Sequence, residues 1–498
     1  KSASFAKQIP TILRMHPKDS ANTHKAKEQL ALALINQGKL KEAEDIYTNL
    51  VNSGISNDIV YGNLGALLQQ KGDIVSATLL LKRSLWLNPN NPNVYNNLGI
   101  ALEDQGDLTS AIASFKRAIE LKPNFSEFYY NLGNAFKKKG DLDSAIFSYR
   151  DAIHFKQNYP EAHYNLGNAL KDKGDLTAAI TAYNTALQLN PNQPDVYNNL
   201  GNALKDQGNF DAAIISYNKS LELRPNNPDA HLSYALTMLL MGDYKNGWEK
   251  YSWRTKISST PSIPSALPMC KLWNGEPLEH ETKLLLVTEQ GLGDILQFMR
   301  YALALRCQKL SISICAQPRL HPLIQSSGID PSPLTPEQAN QVTEGQWIPL
   351  LSVPRLLEVS PSNPIVNKPY IKSSTELTKK WKAILSAKTK PIIGINWRGN
   401  RNDTSRLNRN IPTHMFREMN EAFTGHLLCL QRHSHPSEID EITFNRKMMP
   451  YQLDVLRIAD SNMPEDFLEY AAIIANCDLV ITTGSTVAHL AAGIGIPT

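Results

Sequence analysis

Two hydrophobic patterns divide the chain near residue 257. Up to that point apolar residues recur in helical steps, and the whole arrangement returns every 34 residues. Gly38, Gly72, Gly106, Gly140, Gly174, Gly208 and Gly242 keep this interval. So do Ala43, Ala77, Ala111, Ala145, Ala179 and Ala213, with Gly247 in seventh place, and Leu30, Leu64, Leu98, Leu132, Leu166 and Leu200, with Tyr234 last. An aromatic residue or Leu recurs at Tyr47, Leu81, Phe115, Tyr149, Tyr183, Tyr217 and Tyr251. A fixed period of this length marks a stacked array of helix pairs. The repeated Gly falls between two helices, where the chain turns sharply and a positive φ is needed. The small Ala lets the second helix approach the first, and the aromatics fill the layer between neighbours. Pro89, Pro123, Pro191 and Pro225 close second helices, because Pro cannot continue one. No pair buries its apolar face alone, so stacking is obligatory and predicts a right-handed superhelix with a concave inner face.

Beyond residue 257 the texture changes. Pro261, Pro264, Pro268 and Pro277 lie among several Ser and Thr, the composition of a connector. Short apolar runs then alternate with helical patterns. They predict strands at 284–287, 312–315, 392–396, 427–430, 455–458 and 479–482, and helices at 294–306, 375–387, 464–475 and 486–492. Such alternation predicts parallel sheet with crossover helices. A break near 360–386 divides it into two nucleotide-fold halves facing a cleft. The expected organisation is a helical cap at 1–23, seven repeats at 24–257, a linker at 258–282, and two Rossmann-like halves at 283–372 and 373–498. A chain of 498 residues is too long for a single core, which agrees with this division.

Charge and composition narrow the partners. A net charge of +4 is small for this length and argues neither for nucleic acid nor for a strongly anionic membrane surface. Cys270, Cys307, Cys315, Cys429 and Cys477 are scattered, and no pair has metal-ligand spacing. They read as reduced thiols of a cytoplasmic protein. No apolar stretch is long enough to cross a bilayer, and residues 1–20 lack the apolar core of a signal peptide. Both ends look cut, and the second half is expected to be incomplete after Thr498.

Candidate chemistry concentrates in three places. The first is Val287-Thr288-Glu289-Gln290-Gly291-Leu292-Gly293-Asp294, between an apolar strand and a helical pattern. Strand, glycine loop and helix bring backbone N–H groups up to a ligand. Asp294 is either a plain helix cap or a general base at the carboxyl end of a strand. The second is Thr482-Thr483-Gly484-Ser485-Thr486, which offers hydroxyls, a glycine for close approach and a helix N-terminus. Read structurally, it is an N-cap. His489 either bonds a ligand there or is a satisfied histidine under the loop. The third is the column Asn63, Asn97, Asn131, Asn165 and Asn199 on the first helices, beside Asn134, Asn168 and Asn202. Asn donates and accepts at once, so the column suits peptide units of an extended chain, or it supports the fold.

The spacing over residues 24–257 matches the tetratricopeptide repeat, and the Asn column resembles the ladder inside the superhelix of the O-linked N-acetylglucosamine transferases. The second half is similar to bacterial tetratricopeptide proteins with a heptosyltransferase-like (family 9) glycosyltransferase domain. The blocks that carry the likeness are Trp273-Asn274-Gly275-Glu276-Pro277-Leu278, Glu289 to Asp294 with Gln297-Phe298 and Arg300-Tyr301, Trp397-Arg398-Gly399-Asn400, and Arg409-Asn410-Ile411-Pro412. Asp466-Phe467, Ala475 to Ile481 and Thr486 to Ala492 complete them. The resemblance implies an α-solenoid followed by a GT-B domain, a nucleotide-sugar co-substrate held mainly by the C-terminal half, and no metal or other cofactor. Asp294 falls where the family has its catalytic base. Gly291, Gly293, Arg398, Arg409, Thr482, Thr483, Gly484, Ser485, Thr486 and His489 fall in the donor site, where cations and helix N-termini meet the developing diphosphate charge. Arg406 is a further candidate cation. The family usually has Asp at Gly484 and Thr at Ser485, and that Asp touches the donor. Two expectations follow: an inverting glycosyltransferase whose array presents a protein or glycan acceptor, or a protein-binding scaffold with a degenerate transferase domain.

Overall fold

The computed structural model describes residues 21–55, 57–257, 264–278, 282–289, 291–365, 368–386, 388, 390–398, 410–422, 425–431 and 467–498. Residues 1–20 of the candidate cap at 1–23, the candidate strand at 455–458, Arg406 and Arg409 lie outside them. The chain forms two compact units, Lys1–Ser233 and Tyr234–Thr498.

The first unit is a solenoid of helix pairs: Ala21–Asn36 with Leu40–Asn52, Asp58–Gln70 with Ile74–Leu87, Pro92–Asp104 with Leu108–Leu121, Ser126–Lys139 with Leu142–Phe155, Pro160–Lys173 with Leu176–Leu189, and Pro194–Asp206 with Phe210–Leu223. The seven repeated glycines all have φ between +74° and +92°. A Cβ added at any of them would meet nothing within 4 Å, so their conformation, not space, requires glycine. The residue after the glycine then starts the second helix. Asp73, Asp107, Asp141, Asp175 and Asn209 each accept a backbone N–H of the first turn.

A second glycine series works by contact. At Gly99, Gly133, Gly167 and Gly201 a Cβ would stand 2.5–2.7 Å from the ring of Phe115, Tyr149, Tyr183 and Tyr217. These rings are fully buried, so each pair is locked by an aromatic face laid on bare backbone. From the second repeat to the sixth, each first helix also touches the next first helix, an approach the second helices do not match. The first helices therefore lie on the tighter, inner side of the curve.

The seventh pair, Pro228–Met241 and Tyr244–Tyr251, straddles the boundary between the units. Its second helix packs within the second unit: Trp248 Nε1 donates to Val359 O at 3.0 Å and the Trp248 ring meets Phe298 edge-on at 6.3 Å. A period of 34 locates a repeat but not the core it joins.

The second unit holds two parallel sheets. In the first, β1 (Lys271–Leu272), β2 (Lys283–Val287), β3 (Ser311–Cys315) and β4 (Gln346–Pro349) lie in the order β1-β4-β2-β3. In the second, β5 (Ile392–Asn396), β6 (His426–Cys429) and β7 (Leu479–Thr482) lie in the order β6-β5-β7. Leu284 to Val287 are all buried, as expected of a parallel strand covered on both faces. β1 and β4 are not among the expected strands. β1 lies inside the stretch read as a linker and pairs with Gln346 and Trp347 of β4, and both runs are too short and too polar to show a period.

His426, first residue of β6, is expected to make this sheet acid-sensitive. Burial pushes its imidazole down from 6.5 to about 4, with Lys388 adding to the effect. The fold favours the neutral ring, so the unfolded chain binds the proton more readily. The contribution is complete above pH 6.5 and is lost as pH falls toward about 4. It amounts to on the order of 3 kcal/mol. His426→Leu should therefore flatten the fall in melting temperature of the second unit between neutral and acid pH. An unchanged profile would place the acid sensitivity elsewhere.

Candidate functional site

The carboxyl end of β2 leads through Thr288 and Glu289 to Gly291, whose φ of +61° and ψ of 113° start the helix Leu292–Cys307. Asp294 lies in the first turn of that helix, and its carboxylate turns back over the loop: a Cβ on Gly291 would meet Asp294 Oδ2 at 2.8 Å. One residue before Asp294, a Cβ on Gly293 would stand 2.9 Å from His489 Cδ2 and 3.7 Å from Thr486 Cα. The helix Thr486–Ile494 thus presents its own N-terminus to the first one. Two positive helix ends converge, with one carboxylate and one imidazole between them.

The charge environment follows from this packing. Burial holds the His489 imidazole below its ordinary value; Asp294 opposes that effect and Arg300 reinforces it. Arg300 is fixed by its own helix and by Tyr370: Nε donates to Gln297 O at 2.8 Å, and the guanidinium lies over the Tyr370 ring at 5.0 Å. A neutral His489 can accept or donate, and Arg300 carries a full positive charge close enough to act on it.

On the second sheet, Asn396 ends β5 and orders the hydroxyl run. Its Nδ2 donates to Thr482 Oγ1 at 3.1 Å and Ser485 Oγ at 3.3 Å. Ser485 makes no side-chain cap to its helix, so the run is not an ordinary N-cap. Thr483 Oγ1 and Trp397 Nε1 are buried with no hydrogen-bond partner among the described residues. At Gly484 a Cβ would meet nothing within 4 Å, so the position has room for a side chain. Arg398 follows β5 and its backbone N–H donates to Gln431 Oε1 at 2.9 Å.

The structure thus brings Gly291, Gly293 and Asp294 to Thr486 and His489, and brings Thr482 and Ser485 to Asn396. Arg409 lies outside the described residues. Sequence reasoning passed over Asn396, Tyr370 and Arg254. Only Asn396 had a local signal, as the one polar residue ending an apolar strand. Among the described residues no cluster of His, Cys, Asp or Glu could hold a metal ion. No described helix is long and apolar enough to cross a membrane.

Gly291→Ala tests the geometry of the loop. The new methyl meets Asp294 Oδ2, and a non-glycine residue at this φ is strained. The variant should lose about 1–3 kcal/mol of stability and displace Asp294. An unchanged melting temperature would show that the loop adapts freely.

In the first unit the Asn column lies half-buried on the first helices and reaches back into the preceding repeat. Asn63 donates to Tyr47 Oη at 2.9 Å, and Asn131 donates to Asn96 Oδ1 at 2.8 Å. Asn165 Nδ2 donates to Tyr130 Oη and Asn134 Oδ1, both at 3.0 Å. Asn199 donates to Tyr164 Oη at 2.9 Å and Asn168 Oδ1 at 3.0 Å. Tyr149, Tyr183 and Tyr217 donate to Asn134, Asn168 and Asn202. For Asn97 only its half-buried place in the column is described. In Asn165 and Asn199 both amide hydrogens are engaged between repeats, which leaves the carbonyl oxygen as the group to offer a peptide N–H.

Family models of the TPR repeat match residues 101–140, 133–174 and 167–208, and tetratricopeptide-repeat models match 80–113 and 194–227. Among solved structures, the MamA protein is 30% identical over 34% of this chain and 92% of its own, with a TM-score of 0.32. YrrB, described as a TPR protein with an unusual peptide-binding site, is 20% identical over 37% of this chain and 95% of its own, with a TM-score of 0.33. PilF of Pseudomonas aeruginosa is 18% identical over 44% and 98%, with a TM-score of 0.39. No curated protein matches the chain.

Proposed function

The chain belongs to the tetratricopeptide-repeat proteins, and from that premise we propose that its array recruits a protein or glycan acceptor for sugar transfer in the second unit. The reaction is an inverting, metal-independent transfer from a nucleotide-sugar donor in a GT-B-like domain. One observation carries it: Asp294 stands where two helix N-termini converge, with His489 and Arg300 beside it. Helix ends and Arg300 suit the diphosphate, whose charge grows as the sugar bond breaks. Asp294 suits the acceptor hydroxyl, whose proton it takes as that oxygen attacks the anomeric carbon. Thr482, Thr483, Ser485 and Thr486 line the donor side, with Arg398 as a cation at the end of β5. In the array, the carbonyl oxygens of Asn131, Asn165 and Asn199 accept from the backbone of an extended acceptor segment. Five scattered cysteines without metal-ligand spacing suit a cytoplasmic setting.

Gly484 favours a second reading, a protein-binding scaffold with an inactive transferase fold. It stands where an acidic side chain would touch the donor, and the space for that side chain is open. Thermal shift with uridine, guanosine, adenosine and cytidine diphosphates separates the two. A ligand of the folded state at a hundred times its Kd stabilises by about 2.7 kcal/mol. A shift with one nucleotide, followed by its sugar conjugates being hydrolysed, supports transfer. No shift with any of them leaves the scaffold.

A further inference from the structure

Arg254 lies on the short 3₁₀ turn Ser252–Lys256, just past the last repeat. It forms a two-pronged ion pair with Glu289: Nε to Oε1 at 3.0 Å and Nη2 to Oε2 at 2.8 Å. The two side chains are 3% and 1% exposed. Their other valences are also filled. Arg254 Nη1 donates to Tyr251 O at 3.1 Å and Nη2 to Ser352 Oγ at 2.8 Å, while Glu289 Oε2 accepts the Leu351 N–H at 3.0 Å.

A buried ion pair is a poor device for stability, since desolvating both charges offsets most of their attraction and apolar residues of equal volume often serve as well. Its use here is positional. Just past the end of β2, the Thr288 N–H still donates to Cys315 O at 3.0 Å. The helix begins at Leu292. Between them the main chain swings through the positive φ of Gly291, and the Glu289 side chain ties this swing to Arg254 and to the Leu351 N–H. We propose that Arg254 is a positioning residue for sugar transfer, acting through Glu289 to hold the loop that aims Asp294. The assignment rests on the sugar-transfer reading for the reaction it serves, not for the tether itself.

A second observation points the same way. The Arg254 guanidinium lies over the Tyr251 ring at 4.6 Å, and Trp248 packs edge-on to both Tyr251 and Phe298, the latter on the helix whose first turn holds Asp294. Burial raises the Tyr251 phenol, Arg254 opposes this, and Glu289 and Asp294 both add to the rise, so one small neighbourhood contains all four groups. Within the second unit, Tyr244–Tyr251 and the turn after it thus flank both the loop and the helix.

The test uses the full chain with Arg254→Met/Glu289→Met, which replaces the pair by apolar side chains, and Arg254→Lys, which keeps the charge but loses the fork. Two readouts are taken: hydrogen exchange of the amides at 288–296, and turnover of whichever nucleotide sugar the wild type hydrolyses. The expected result is a folded double variant with loop amides exchanging at least about tenfold faster and kcat at least about tenfold lower, with donor KM changed less. Arg254→Lys should show the same signs in a milder form and covers the case in which the double variant fails to fold. Wild-type exchange and kcat in folded variants overturn the proposal. Faster loop exchange in a protein whose wild type hydrolyses no nucleotide sugar upholds the tether and removes the sugar-transfer reading instead.

Discussion

Asp294→Asn should lower sugar transfer by about a hundredfold or more and leave the fold almost untouched. The residue occupies the first turn of the helix Leu292–Cys307, where a negative charge interacts favourably with the helix dipole. Losing that charge costs about 0.3–1 kcal/mol. Asn keeps the shape and can still accept from the turn, so a purely structural Asp294 predicts this small loss and nothing else. A general base predicts a large fall in kcat with donor affinity nearly unchanged, because the acceptor proton then has nowhere to go. Calorimetry and initial-rate kinetics on the same preparation decide the matter. Wild-type turnover with a lowered melting temperature would make Asp294 a structural residue of the helix's first turn, whose N-cap is Gly291, and place the base elsewhere.

What could be read from the chain alone depends on how local each feature is. The turn glycines announce themselves because a conformational demand recurs at every 34th residue, and all seven have the positive φ that this demand implies. β2, β3, β5, β6 and β7 lie within a residue of their expected bounds; β2 and β5 are buried almost throughout, while β3 and β7 are only partly so. β4 was missed because Gln346 and Pro349 interrupt a run of four residues, leaving a strand that only its neighbours define. The candidate site divides in the same way. The glycine loop and the hydroxyl run are contiguous motifs and were visible. The Arg254–Glu289 pair joins residues 35 apart in two different elements, and no period or motif connects them. The Asn column was visible as a column, but the occupation of its amide groups was not, since that depends on which Tyr of the preceding repeat stands opposite.

That column also bears on how the array holds together, and Tyr183→Ala is expected to show it. The Tyr183 ring is fully buried and lies on the bare backbone of Gly167. Its hydroxyl donates to Asn168 Oδ1 at 2.8 Å, and Asn199 of the next repeat donates to the same oxygen at 3.0 Å. One side chain therefore fills the layer within its repeat and orients the acceptor that links that repeat to the next. Removing it leaves a cavity costing about 3–5 kcal/mol. Tyr183→Phe keeps the ring and loses one hydrogen bond, about 0.5–1.5 kcal/mol. Because a solenoid is stabilised by nearest-neighbour interfaces, the loss should concentrate at the interface between Pro160–Lys173 and the repeats on either side. Hydrogen exchange should rise there first and leave Leu40–Asn52 protected. If Tyr183→Ala costs no more than Tyr183→Phe, the ring is not what locks the pair, and the Gly167 contact is incidental.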